Sequence, residues 1–137
     1  MPRTFLVVAA LMAALCGCSM SADTALAEQG VPRFHEQLDA GRFDEIWDQA
    51  ADELKKASPQ PEFVEFLSAV HRKLGNTKSA DKTGWNVNYQ TSGSFVTLGY
   101  KTVFAEGDAQ EQFVFRLQDN KALLVGYHIN SMALITK

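Results

Sequence analysis

Gly84-Trp85-Asn86-Val87-Asn88-Tyr89-Gln90-Thr91-Ser92-Gly93-Ser94-Phe95-Val96-Thr97-Leu98-Gly99-Tyr100 decides the fold of this chain. Before this stretch apolar residues recur with a helical period; within it they alternate. Trp85, Val87 and Tyr89 share one face, and Asn86, Asn88 and Gln90 share the other. After a Ser92-Gly93 turn, Val96, Leu98 and Tyr100 repeat the alternation. A period of two is the mark of a half-buried strand.

Downstream the pattern continues. Strands are expected over 84–91, 94–105, 109–118 and 121–134. Glu111, Phe113, Phe115 and Leu117 align in the third, and Leu123, Val125, Tyr127 and Ile129 in the fourth. Glu106-Gly107-Asp108 turns the chain, and Asp119-Asn120 suits a two-residue hairpin. Such short turns make an antiparallel meander. Its second face carries Asn86, Asn88, Lys101, Gln112, Arg116, His128 and Asn130, so it is expected to be wet.

Upstream, three helices are expected. Val31, Phe34 and Leu38 set the first over 31–40, ended by Gly41. Phe43, Ile46, Trp47, Ala50 and Leu54 set the second over 43–56, with acids in its first turn and lysines in its last. Phe63, Phe66, Leu67, Val70 and Leu74 set the third over 61–74, before the Gly75-Asn76 stop. The class is therefore α+β, with three N-terminal helices packed on a four-stranded antiparallel sheet in one domain over 31–137.

The stretch Gly41-Arg42-Phe43-Asp44-Glu45-Ile46-Trp47-Asp48-Gln49-Ala50, the Leu74-Gly75 stop and Gly84-Trp85 resemble small secreted bacterial members of the nuclear transport factor 2-like fold, annotated only as domains of unknown function. A cystatin-like sheet is the nearest rival. The resemblance implies a curved sheet wrapped around helices as a cone, with any ligand at its mouth. The lining it implies comes from Trp47, Trp85, Tyr89, Tyr100, Phe113, Phe115 and Tyr127, with Val87, Leu98 and Val125 between them.

The N-terminus reads as an export signal. Arg3 precedes the apolar run over 5–15, which falls short of the ~20 residues that span a bilayer. Leu15-Cys16-Gly17-Cys18 resembles a bacterial lipobox. The resemblance implies a signal peptide over 1–17, lipid on Cys18, and a polar tether over 18–30. Ser19 after the lipidated cysteine implies an outer-membrane lipoprotein facing the periplasm. The alternative is cleavage after Ala27 at Ala25-Leu26-Ala27, giving a soluble periplasmic or secreted domain.

Composition narrows the chemistry. Both cysteines lie in the targeting segment, so the domain has neither a disulfide nor a cysteine nucleophile. Nine acids fall between Asp23 and Glu53, opposed only by Arg33 and Arg42. No basic stripe with interleaved aromatics suggests nucleic acid. There is no nucleophile elbow and no glycine-rich phosphate loop.

A proton-transfer enzyme of this cone needs a buried acid or histidine. Glu111 shares parity with Phe113 but adjoins a turn, and is expected at the exposed mouth. Asp48 and His128 are expected to face solvent. His71 is explained by its place in a last helical turn. His35 and Asp39 are spaced i, i+4 but lack a third metal ligand, so the pair is expected to be solvated. No catalytic residue, metal or cofactor is expected.

Three functions are weighed. The favoured one is a non-enzymatic, lipid-anchored envelope protein that binds a small apolar ligand or a protein partner through the cone or the sheet face. A carboxylate–histidine pair buried in the cone counts against it. The second is a small isomerase or dehydratase using Glu111 or Asp48 with Tyr100 or Tyr127. The third is a structural module that pairs with a second copy.

Overall fold

Residues 17–137 are described by the computed structural model, and the expected export signal lies outside them, apart from Gly17. Four helices precede the sheet: α1 (Gly17–Asp39), α2 (Phe43–Asp48), α3 (Asp52–Ala57) and α4 (Gln60–Leu74). Four strands follow, β1 (Thr77–Gln90), β2 (Gly93–Phe104), β3 (Gly107–Gln118) and β4 (Lys121–Asn130), and α5 (Met132–Thr136) ends the chain. The sheet is an antiparallel meander in the order β1-β2-β3-β4. The expected α+β class and meander are present.

α1 is longer than its periodicity predicts. The expected tether over 18–30 is helical, with Thr24 and Ala27 buried. Gly30 and Pro32 lower helix propensity locally. Packing overrides them: a β-carbon on Gly30 would stand 2.7 Å from Phe115 Cε1, so only glycine lets α1 lie this close to the sheet. Thr24, Ala27, Val31, Phe34 and Leu38 then form one buried stripe.

The expected second helix is split. Ala51 N–H donates to the Leu124 carbonyl of β4 at 2.9 Å, which draws the chain out of helix at Ala50 and Ala51. The helix restarts at Asp52 and Glu53, two acids suited to a positive helix end. The break also ties the helical layer to the β4 edge.

Two strands depart from expectation. β1 begins at Thr77 and carries a bulge between Lys82 and Gly84. β4 stops at Asn130, where Ser131 caps α5 through a bond from Ala133 N. A bulge between Val114 and Phe115 shifts the register against β4. Phe115 then faces Leu124, which is buried, so Leu124 and not Leu123 or Val125 points inward on that half of the strand. The Asp119-Asn120 turn has φ of 51° and 63°, the left-handed pair that a two-residue hairpin requires.

The core lies between the helices and one sheet face. Leu38, Leu67, Leu74, Leu98, Val96 and Phe113 are fully enclosed there. Each such side chain is worth about 1.5–3 kcal/mol by its removal from water.

Candidate functional site

One polar cluster sits inside this apolar core. Glu111 on β3 is 2% exposed and His35 on α1 is 6% exposed. His35 Nε2 lies 2.7 Å from Glu111 Oε1, across 76 residues of sequence. Thr102 Oγ1 on β2 donates to the same oxygen at 2.5 Å, and Tyr127 O–H on β4 donates to Oε2 at 2.5 Å. Phe34, Phe104 and Phe113 pack edge-on to the imidazole.

The cluster draws one residue from each of α1, β2, β3 and β4. In-register pairing sets Glu111 opposite Tyr100 and Ile129, with Thr102 and Tyr127 one step away on the same face. Burial pushes the Tyr127 phenol well above its ordinary range, and the adjacent Glu111 carboxylate adds to the shift. Tyr100 is raised as well, by burial first and by Glu28 second.

These placements correct two expectations. Glu111 is not at an exposed mouth, and His35 is not a solvated helix residue. Parity with Phe113 already pointed Glu111 inward. His35, four residues after Val31 and one after Phe34, lies on the buried stripe of α1. Asp39, the other half of the expected i, i+4 pair, accepts from Thr77 N at 3.0 Å and Thr77 Oγ1 at 3.1 Å. No group of three or more metal-ligating side chains occurs among the described residues. Asp48 and His128 are exposed, as expected.

The aromatic lining is dispersed. Tyr100, Phe113, Phe115 and Tyr127 are buried in the cone. Trp47 is half-buried at the edge of the core, donates its indole N–H to the Ser58 carbonyl at 2.9 Å and lies under Lys55. Trp85 and Tyr89 keep the expected facing but are 53% and 54% exposed on β1, an edge strand of the sheet.

Two open recesses flank the closed cluster. A cleft of about 580 Å³ lies between α1 and the β3–β4 hairpin; Arg33, Gln37, Gln49, Phe115, Lys121 and Leu124 line it. A shallower trough of about 600 Å³ crosses the wet sheet face over Gly84 and Gly99, bordered by Lys101, Gln112 and His128. Neither includes His35; the trough runs past Glu111 and Tyr100, although the Glu111 side chain itself is closed from solvent.

The architecture matches solved structures. A 2.5 Å structure from Catenulispora acidiphila superposes with a TM-score of 0.54 at 16% identity, covering 83% of this chain and 94% of that one. A candidate scytalone dehydratase from Novosphingobium aromaticivorans DSM 12444 gives 0.50 at 8% identity, covering 82% and 86%. At these identities the likeness is one of fold, the nuclear transport factor 2-like cone. No curated protein matches the sequence. The model of the family "Protein of unknown function (DUF4019)" matches residues 32–127, a span that holds all four members of the buried cluster. This chain belongs to the DUF4019 family.

Proposed function

We propose that this protein is a lipid-anchored envelope domain that binds a small ligand, rather than an enzyme that moves protons in its cone. The closure of Glu111 carries the reading. Its two oxygens face three internal partners, its side chain is closed from solvent even though the trough runs past it, and three aromatic rings pack on its histidine partner. A general base needs reach to a substrate proton. A buried carboxylate held by three internal hydrogen bonds and lacking this reach acts as an internal tie between helix and sheet.

The anchor reading draws support from α1. Cleavage after Ala27 would remove Thr24 and Ala27, both buried against the core, and cut the helix in two. Cleavage before Cys18 leaves the buried stripe whole. The Leu15-Cys16-Gly17-Cys18 stretch makes lipid on Cys18 the attachment we propose, on an outer membrane facing the periplasm. Intact mass measurement of the membrane-extracted chain tests this. An acylated chain starting at Cys18, absent in Cys18→Ala, supports the anchor; an unmodified chain starting at Glu28 overturns it.

The buried His35–Glu111 pair is the carboxylate–histidine pair that counts against a non-enzymatic cone, and it favours a second reading, an isomerase-like or dehydratase-like enzyme whose cone opens to admit substrate. Hydrogen exchange separates the two. A Tyr127 hydroxyl proton protected as strongly as the Phe113 amide supports the closed tie. Exchange much faster than at Phe113 would favour an opening cone and proton transfer.

A further inference from the structure

The cleft between α1 and the β3–β4 hairpin has a composition at odds with its surroundings. α1 and α2 lie in the most acidic third of the chain, yet no acidic residue among the described ones lines the cleft. Two cations do, Arg33 and Lys121. Beneath them Phe34, Phe115 and Leu124 form an apolar floor.

The hydrogen-bonding groups are unbalanced in the same direction. Arg33 Nη2 donates to Gln49 Oε1 at 2.9 Å, and Gln37 Nε2 donates to that oxygen at 3.0 Å. Both lone pairs of the Gln49 carbonyl are thereby occupied. Its amide N–H groups have no acceptor among the described residues, and Lys121 has no acidic partner among them. The cleft is rich in donors and positive charge and poor in acceptors, above a floor that favours hydrocarbon.

We propose that this cleft binds an amphipathic anion, with the negative head held by Arg33, Lys121 and the Gln49 amide and the apolar body laid on Phe115 and Leu124. This rests on the binding reading above and names the ligand class for it. The guanidinium of Arg33 retains N–H groups in a fork that matches a carboxylate or phosphate. Lys121 supplies a mobile point charge from the hairpin. A membrane phospholipid and a free acyl carboxylate share this chemistry.

The test is a chemical-shift titration of the isotopically labelled, anchored full chain in zwitterionic nanodiscs. The probes are octanoate and its neutral counterpart octanamide. The expected result is movement of the Arg33, Gln49 and Phe115 signals with octanoate at least about tenfold more tightly than with octanamide. Arg33→Gln with Lys121→Gln should remove that preference, and raising salt should weaken octanoate alone. Replacing the nanodisc lipid with an anionic one should then compete with octanoate if the lipid head is the source, and leave it unaffected if the free acid is. Equal binding of both probes at the cleft overturns the anionic class while leaving a binder. Movement confined to the sheet trough overturns the site. Silence with both probes overturns the inference, and silence with a wider panel of neutral and cationic amphiphiles as well overturns the binding reading itself.

Discussion

The imidazole of His35 and the carboxylate of Glu111 meet at 2.7 Å where both side chains are almost wholly shut from water. The pair locks α1 to the middle of the sheet. Glu111→Gln keeps the shape but replaces one acceptor oxygen by an N–H donor, so a hydroxyl of Thr102 or Tyr127 that now donates must turn to accept or the contact is lost. The expected cost is about 2–4 kcal/mol of unfolding free energy, read from urea denaturation. His35→Ala and Glu111→Ala, alone and combined, should show a coupling of about 1–3 kcal/mol. Additive losses would remove the pair as a structural tie.

Tyr127 gives the fold an alkaline limit. Its phenol is held protonated by burial and by Glu111, so its folded value lies above its free value near 10. A group raised in this way contributes stability that is whole below the free value and declines as pH climbs toward the folded one. Stability should therefore fall from about pH 10 upward, and Tyr127→Phe should flatten that fall. An unchanged alkaline slope in the variant would assign the effect elsewhere.

Gly30→Ala sets two effects against each other. The new methyl gains about 1 kcal/mol of helix propensity. It also meets Phe115 Cε1 at 2.7 Å, and overpacking of a core ring costs about 1–3 kcal/mol. A net loss near 1 kcal/mol is expected, with disturbed shifts at Phe115. A stabilised variant would mean the ring yields freely.

Ala51→Pro isolates the bond that splits the second helical segment. Ala51 has φ of −68°, which proline tolerates, but proline cannot donate to the Leu124 carbonyl. The expected loss is about 1–3 kcal/mol by thermal unfolding. Ala51→Ser, which keeps the N–H, should cost less.

Much of this architecture was legible in the chain because period and turn chemistry act locally. The strand alternation from Trp85 to Tyr100, the Asp119-Asn120 hairpin and the Gly75 stop each depend on near neighbours. What stayed hidden depends on distant ones. Nothing near residues 49–51 signals that a β4 carbonyl will capture Ala51 N–H. Nothing near Ser19 to Gly30 signals that a Phe115 ring requires a glycine opposite. His35 and Glu111 each carried an inward cue, but adjacent Glu36 and a nearby turn made both look solvated. Only the assembled sheet brings Thr102 and Tyr127 within reach of the same carboxylate.

The unbroken run of α1 from Gly17 into the core has a mechanical consequence. With lipid on Cys18, Thr24, which is buried, follows only about 9 Å along the helix axis. A polar headgroup layer is itself about 5–8 Å deep on each side of a bilayer. The anchor would thus work as a short stiff post in place of a leash. The domain would ride at the lipid surface with its tilt restricted, and whatever it meets would have to come to that surface.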